Sequence, residues 1–503
     1  MRNYSKSSYD HPSKLVGVRA GDMRVSEYYE LDRTQPELDF VDVDISTDVT
    51  VFLDPRAIRI QDSDWAHECQ TMLQSFFAEV LEAIHRQEEG RVDYLLGRLS
   101  EPNETHLGFS RGRSRGRGLG GVGAEKVAEA ITNSRAASTG LLSDLEDSAL
   151  LVPGIGKDII SDIATHILRG ALIGYTQRAC EYYGIPLERQ HSGHIWNPDE
   201  LRWDEGWVDL PRADEAPLLL VPKSIVRFEM TLDKDKYYNG FLAPMLESKE
   251  IDAGSNLVTI LKNGSPKVYR DQLKGKYPAN KLAIIGYTQE FPDALPRYKN
   301  SISKLTSPVL THEQLARALD VPVPDYDALL ERMLAVAPGS AGATLYHRAA
   351  EKLLTALFFP YLGNMRMERE IHEGRKRIDI VYDNLAALGT FYWLGSQYRA
   401  AEVPVECKNY SDDLANEQLD QISGRFSDQR GWVGFITCRK FTDKALFLDR
   451  CRDTAKDGRG YVIALDDDDF AELVRERKFV VDAKPRDKAM FHLVRERFDS
   501  LIR

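Results

Sequence analysis

Long apolar runs and an excess of basic residues are both missing from this chain of 503 residues. No stretch of about 18 apolar residues occurs, so the sequence predicts no membrane span. The opening residues, MRNYSKSSYDHPSK, lack the apolar centre of a signal peptide. The net charge of −12 argues against a protein that coats nucleic acid through overall positive charge. We therefore expect a cytoplasmic protein with no membrane partner.

Cysteine is scarce as well, with five residues in the whole chain. Their positions are scattered, and no two have C-x-x-C spacing: Cys69, Cys180, Cys407, Cys438 and Cys451. This pattern fits a reducing compartment and predicts neither a disulfide framework nor a cysteine zinc site. The length allows about two to four domains.

An acidic stretch lies near the start of the chain, in LDFVDVDISTDVTVFLDPRAI. Apolar and acidic residues alternate there, which predicts two strands with a turn near Thr47. The aspartates are Asp39, Asp42, Asp44, Asp48 and Asp54. They would form either a second metal or nucleotide site or the solvated face of a β-element, and we favour the solvated face. Further along, residues 65–98 predict one or two amphipathic helices, and KLAIIGYTQ, residues 281–289, predicts a strand.

A glycine-arginine segment, GFSRGRSRGRGLGGVG, occupies residues 108–123. It carries four arginines at alternate positions: Arg111, Arg113, Arg115 and Arg117. It also matches G-x-G-x-x-G ahead of a helix, but no apolar strand leads into it, so a dinucleotide-binding fold lacks its context. The segment is either a nucleic-acid or phosphate contact or a flexible, solvated basic loop.

A second candidate contact follows in residues 143–175, which predict helix, tight turn and helix. The turn, Pro153-Gly154-Ile155-Gly156, is similar to that of helix-hairpin-helix DNA-binding modules, and Lys157 follows it. That resemblance implies a phosphate contact at Lys157. The alternative is an ordinary helix start followed by a core helix.

The C-terminal third carries the strongest chemical pattern. Val403–Tyr410, VPVECKNY, predicts a buried strand that places Glu406 and Lys408 on one face, roughly 6.5–7 Å apart. An earlier strand, RKRIDIVYD, carries Asp379. Charged groups on buried strands are costly unless they are used. The two carboxylates would suit Mg²⁺, and the amine could polarise a metal-bound water beside a phosphodiester.

Asp379 followed by Glu406-Cys407-Lys408 resembles the acid and E-x-K elements of the PD-(D/E)xK nuclease superfamily, over roughly residues 341–503. Ile378 stands where the family name has proline. The resemblance implies a restriction-endonuclease-like α/β sandwich around a mixed sheet. It implies Mg²⁺, with Mn²⁺ as a substitute, held by both acids and the backbone carbonyl of Cys407. It also implies roles for Glu351 on the leading helix and Gln421 on the following helix.

Prolines at 308, 322, 324 and 338 indicate a connector with short helices. We therefore predict an α+β sensing or nucleic-acid-binding region over residues 1–305, a linker over 306–340 and a nuclease domain over 341–503. The resemblance implies a DNA endonuclease of bacterial restriction or anti-phage defence, with RNA not excluded. Its partners would be DNA and either a second copy of the chain or another defence protein. The alternative is a nucleic-acid-binding, sensor or scaffold protein with a non-catalytic nuclease-like fold.

Overall fold

A computed structural model of the chain describes residues 23–100, 102–108, 122–213, 215–304, 309–371, 376–410, 414–480 and 483–503. It is a mixed α/β protein with helices throughout and one five-stranded sheet near the C-terminus. Within those ranges, no helix is long and apolar enough to cross a membrane. The four arginines of the glycine-arginine segment, Arg111, Arg113, Arg115 and Arg117, lie outside the described residues.

The first part of the chain is mainly helical. Its α-helices are Val25–Tyr28, Pro55–Arg59, Asp64–His85, Glu89–Leu96, Val122–Thr132, Arg135–Ser138, Asp147–Leu151, Lys157–Ile167 and Arg169–Tyr183. The predicted amphipathic stretch at 65–98 is two helices, and the longer one buries an apolar face that includes Leu73, Phe76 and Val80. The predicted helix, tight turn and helix are also present, with Gly154 in the left-handed region at φ +83°.

The acidic stretch differs from the prediction. Two strands were expected, but over these residues the structure has a two-residue strand, Phe52–Leu53, and isolated bridges at Phe40, Asp44 and Val49. The prediction of a solvated acidic face was also wrong, because Asp39, Asp42 and Asp54 are buried. Each accepts hydrogen bonds from backbone N–H groups, as Asp42 does from Ser26 at 2.9 Å. Alternation alone could not reveal these acceptor roles, since the N–H that Asp39 accepts from belongs to Met365.

The segment KLAIIGYTQ is a helix, Lys281–Glu290, and not the predicted strand. Asn280 caps its start by accepting a hydrogen bond from the N–H of Ala283. Ile284, Ile285 and Thr288 are buried at helical spacing. A short apolar run fits either period, and here the cap and the tertiary packing favour the helix.

Short strands and helices make up the middle of the chain. The strands are Glu188–His191, Ile195–Asn197, Arg202–Asp204, Trp207–Leu210, Arg212–Ala213, Ala216–Pro217, Val226–Arg227, Val258–Ile260 and Pro266–Val268. The helices are Lys234–Tyr237, Ala243–Asp252, Arg270–Lys276, Lys281–Glu290, Ala294–Lys304, His312–Leu319 and Tyr326–Leu334, with a π-helical turn at Tyr238–Leu242.

The C-terminal sheet has five strands in chain order: Leu362–Ile371, Lys376–Asn384, Glu402–Lys408, Val433–Cys438 and Tyr461–Leu465. The first two pairings are antiparallel and the last two are parallel, so the sheet is mixed as predicted. Its helices are Ala343–Phe358, Gly389–Tyr398, Asn416–Ser423, Lys444–Lys456, Asp467–Phe479, Pro485–Lys488 and His492–Ile502. Below, Lys376–Asn384 is called the Asp379 strand and Glu402–Lys408 the Glu406 strand.

Helices lie on both faces of this sheet. On the Asp379 strand, Ile380 pairs with Val405 of the Glu406 strand, and Tyr382 shares their face. The Tyr382 hydroxyl contacts Thr355 of the helix Ala343–Phe358 at 2.9 Å. Glu406 points to the opposite face, where it meets Gln421 of the helix Asn416–Ser423. The sheet is therefore covered on both sides, as an α/β sandwich requires.

Two large apolar clusters divide the molecule. One gathers residues from Val25 to Leu319, together with Phe359, and the other gathers residues from Leu329 to Leu501. The helix Tyr326–Leu334, which was predicted within the connector, packs in the second cluster through Leu329 and Met333. The domain boundary near residue 340 remains a prediction.

Candidate active site

Two neighbouring strands place the predicted acids together. Ile380 and Val405 are opposed in the antiparallel pairing of the Asp379 and Glu406 strands, so Asp379 and Glu406 fall opposite each other on the other face. Asp379 Oδ2 accepts a hydrogen bond from the backbone N–H of Cys407 at 2.9 Å. The Glu406 strand is buried along its whole length, as its Val-rich sequence predicts. Adjacent strands thus hold the first acid beside the E-x-K segment.

Glu406 is the centre of the site and is fully buried. Its Oε2 accepts hydrogen bonds from Lys408 Nζ at 3.2 Å and from Gln421 Nε2 at 3.0 Å. Its Oε1 accepts one from Arg425 Nε at 3.3 Å. The structure therefore brings together Asp379, Glu406, Lys408 and Gln421, all of which were predicted from the sequence.

Burial dominates the electrostatics of Glu406. The pKa of this carboxyl is raised from 4.5 to about 7, first by burial and second by the nearby Asp379 carboxylate. The cations Lys408 and Arg425 oppose this shift but do not cancel it. Burial likewise raises the pKa of the Cys407 thiol, so this side chain is a neutral, packed group. A carboxyl with a raised pKa in a charged cluster is typical of a functional site.

The donor set fits a hard divalent cation. A carboxylate offers about four lone-pair positions, and hydrogen bonds occupy three of those on Glu406. Asp379 Oδ1 accepts no hydrogen bond from the described residues, so it also has room for a ligand. Two carboxylates with waters are a common Mg²⁺ set. Among the described residues, no group of three or more His, Cys, Asp or Glu side chains forms a metal cluster, and none is needed for this mode of binding.

Arg425 is the site residue that sequence reasoning missed. Arg425 is buried and donates to the Glu406 carboxylate. Gln421, four residues earlier on the helix Asn416–Ser423, donates to the same carboxylate. The i, i+4 spacing of Gln421 and Arg425 in QISGR was available in the sequence. The helix ends at Ser423, so only the structure shows that the following turn keeps Arg425 on the same side.

Glu351, for which the resemblance implied a role at the metal site, lies among other partners. Its carboxylate forms a buried ion pair with Arg33, 2.7 Å from Nη2 to Oε2, and accepts a hydrogen bond from Tyr182 at 2.8 Å. Thr355 of the same helix donates to the other oxygen at 3.1 Å. The helix packs on the face opposite Glu406, so the structure does not join Glu351 to the other site residues by a hydrogen bond.

Lys157 contacts protein groups at the start of its helix. Its Nζ donates to the Phe228 carbonyl at 3.1 Å and to Glu229 Oε1 at 2.7 Å. The same ammonium lies 4.8 Å from the centre of the Phe52 ring. A phosphate would have to compete with Glu229 for this cation, and the predicted nucleic-acid contact remains a prediction.

The aromatic residues between the two acids belong to the helix Gly389–Tyr398. Phe391 is buried against Phe358 and Phe435, and Trp393 packs on Phe498. Tyr392 is half exposed. Phe391 and Trp393 therefore have a packing role.

Comparison with known proteins finds a family match in the first part of the chain. Residues 30–233 match a family described as a domain of unknown function (DUF8370). No curated protein and no solved structure matches the chain. The sheet with Asp379 and Glu406 lies outside the matched residues, whereas Arg33 and Tyr182, which hold Glu351, lie within them.

Proposed function

We propose that this protein is a metal-dependent nuclease with a restriction-endonuclease-like C-terminal domain. It would hydrolyse phosphodiester bonds, and its proposed substrate is DNA. The observation that carries the proposal is the convergence of Asp379, Glu406 and Lys408 on two adjacent, paired strands. The mixed sheet with helices on both faces supports the fold assignment. The resemblance to PD-(D/E)xK nucleases supports the reaction, and the role in bacterial defence rests on that resemblance alone.

Each residue has a distinct task in this proposal. Asp379, Glu406 and the Cys407 carbonyl would hold Mg²⁺, which on binding activates water and neutralises phosphate charge. Lys408 Nζ donates to Glu406 Oε2 at 3.2 Å. From this position the ammonium would orient a phosphate oxygen or the attacking water. Gln421 and Arg425 fix the orientation of the Glu406 carboxylate, which preorganises the site.

The test is a cleavage assay on supercoiled DNA, single-stranded DNA and RNA with the full chain. We expect cutting with Mg²⁺ or Mn²⁺ and none in chelator. The near-isosteric changes Asp379→Asn, Glu406→Gln and Lys408→Met should each abolish it. Asp420→Asn is the matched control, because Asp420 is an exposed carboxylate on the same helix as Gln421. Full activity in chelator, or wild-type rates in all three variants, would overturn the proposal.

One observation favours a second candidate, a non-catalytic nucleic-acid-binding or scaffold domain. Three side chains donate to Glu406, and Arg33 neutralises Glu351, so these two carboxylates have protein partners without a metal ion. Calorimetric titration with Mn²⁺ separates the two. Metal binding that Glu406→Gln removes supports the nuclease, and its absence together with intact nucleic-acid binding supports the scaffold.

A further inference from the structure

A small β-ribbon in the middle of the chain concentrates positive charge. Its strands are Val258–Ile260 and Pro266–Val268, paired antiparallel, and the helix Arg270–Lys276 follows directly. Between residues 262 and 276 the chain has five basic residues and a single acid, Asp271, although its net charge is −12. The basic residues are Lys262, Lys267, Arg270, Lys274 and Lys276. We call residues 258–276 the basic ribbon.

The cations of the basic ribbon are exposed, and most are unpaired. Lys276 forms an ion pair with Glu250 at 2.7 Å. The other four form no ion pair with any residue that the structure describes, and Arg270 has one long hydrogen bond, 3.5 Å, to Asn239. Four unpaired cations within thirteen residues repel each other, and a bound polyanion would remove that repulsion.

The ribbon is held in a fixed shape and is not a loose tail. Val268 and Leu273 are buried and anchor its base, and Val268 N–H donates to Glu247. The tip turns through Gly264, at φ +81°, with the Leu261 N–H bonded to the Ser265 carbonyl at 2.9 Å. Glycine suits this left-handed position in a three-residue hairpin loop. An ordered hairpin therefore presents Lys262 and Lys267, and the helix that follows presents Arg270 and Lys274. This order lowers the entropy cost of binding.

The outer part of the ribbon extends beyond the core. Ile260 is 66% exposed although it shares a face with Val258, and its partner Pro266 is exposed too. Tyr269, at the base, is 45% exposed and lies beside Lys267, whose Nζ is 5.2 Å from its ring centre. Exposed apolar and aromatic groups among unpaired cations are typical of a nucleic-acid contact.

We propose that the basic ribbon is a docking element for duplex DNA and that it enters the major groove. The B-DNA major groove, about 12 Å wide, admits a two-stranded ribbon, whereas the major groove of duplex RNA is too narrow for side-chain access. Lys262 at the tip and Lys267 on the second strand face the duplex, and Arg270 and Lys274 contact its phosphates. The inference depends on the proposed nuclease function only for the choice of nucleic acid as ligand.

The experiment measures binding of labelled duplex DNA by the full chain, with Ca²⁺ in place of Mg²⁺ to prevent cutting. The test variant changes Lys262, Lys267, Arg270 and Lys274 to Ala. The control makes the same change of charge at exposed positions elsewhere: Arg86, Arg202, Lys456 and Arg475 to Ala. We expect the test variant to bind more than about tenfold more weakly and to flatten the salt slope by up to about 3.6. The control should keep the wild-type slope.

A second variant, Lys262→Glu with Lys267→Glu, alters the ribbon without touching the buried anchors Val268 and Leu273. It guards against a folding defect and should also weaken DNA binding. Duplex RNA of the same sequence should compete at least about tenfold less well than DNA. An unchanged slope in both ribbon variants would overturn the proposal. Equal competition by duplex RNA would overturn groove entry, and equal competition by poly-glutamate would assign the ribbon to an acidic protein instead.

The outcomes separate this inference from the nuclease proposal. If cleavage depends on Asp379 but the ribbon variants bind DNA like the wild type, the ribbon proposal alone is overturned. If the ribbon variants weaken DNA binding but the wild type does not cleave DNA in Mg²⁺, the nuclease proposal alone is overturned.

Discussion

Arg33 and Glu351, 318 residues apart in sequence, form a buried ion pair with 2.7 Å between Nη2 and Oε2. The Tyr182 hydroxyl donates to the same Glu351 oxygen, Oε2, at 2.8 Å. The Arg33 guanidinium also lies over the rings of Tyr182 and Tyr183. The negative charge of Glu351 raises the pKa of Arg33, against the effect of burial. This pair ties the region matched to the DUF8370 family to the leading helix of the C-terminal sheet.

Removing one partner of this pair should destabilise the whole protein. Arg33→Met leaves Glu351 buried and uncompensated, so we expect a loss of about 3–5 kcal/mol in the free energy of unfolding. Combining it with Glu351→Leu should recover much of that loss, because the isolated charge is gone. Urea unfolding of the single and double variants measures both. A loss below about 1 kcal/mol for Arg33→Met would show that the pair is not structural.

A C-terminal fragment should depend on where it begins. The sequence predicts that residues 341–503 fold alone, but Leu329 and Met333 pack in the C-terminal cluster. A fragment starting at residue 321 should therefore be more stable than one starting at 341. Adding Glu351→Gln should stabilise either fragment, since Arg33 is absent from both. Thermal unfolding compares the four proteins, and equal stability of the two wild-type fragments would contradict the prediction.

The raised pKa of Glu406 predicts a pH-dependent stability of the metal-free protein. An acid whose pKa is higher in the folded state binds its proton more tightly when folded. Its stabilising contribution is complete below 4.5 and is lost as the pH rises to about 7. The loss amounts to at most about 3 kcal/mol. Unfolding in chelator across this range should show a smaller decline for Glu406→Gln than for the wild type, and parallel declines would contradict the shift.

Gln421 and Arg425 should affect cleavage less than the residues that hold the cation. Both contact Glu406 through one hydrogen bond each, and neither would touch the metal. We expect Gln421→Ala and Arg425→Ala to lower the rate by about tenfold to a hundredfold, as losses of orienting partners commonly do. The Mg²⁺ concentration for half-maximal rate should rise in both. Initial rates across a Mg²⁺ titration give the two values, and a loss as complete as that of Asp379→Asn would make either residue catalytic.

The sequence by itself determined the local chemistry of this protein. A buried Val-rich strand with Glu406 and Lys408, and an acid-bearing strand before it, predicted that these side chains meet, and the paired strands bring them together. Side-chain alternation in strands is a property of the backbone, so position alone assigns a face. Gln421 was assigned a role by the resemblance to PD-(D/E)xK nucleases, and the structure shows that its side chain donates to Glu406.

Only the tertiary structure decided which distant groups meet. Nothing near Glu351 in sequence indicates that Arg33 and Tyr182 hold its carboxylate, because contacts across hundreds of residues leave no periodic signal. The aspartates at 39, 42 and 54 alternate like surface residues, yet packing buries them as acceptors for backbone N–H groups. The run at 281–289 fits strand and helix alike, and the core that Ile284 and Ile285 join selected the helix. Tertiary packing, which the local sequence pattern does not encode, decided the burial of these residues.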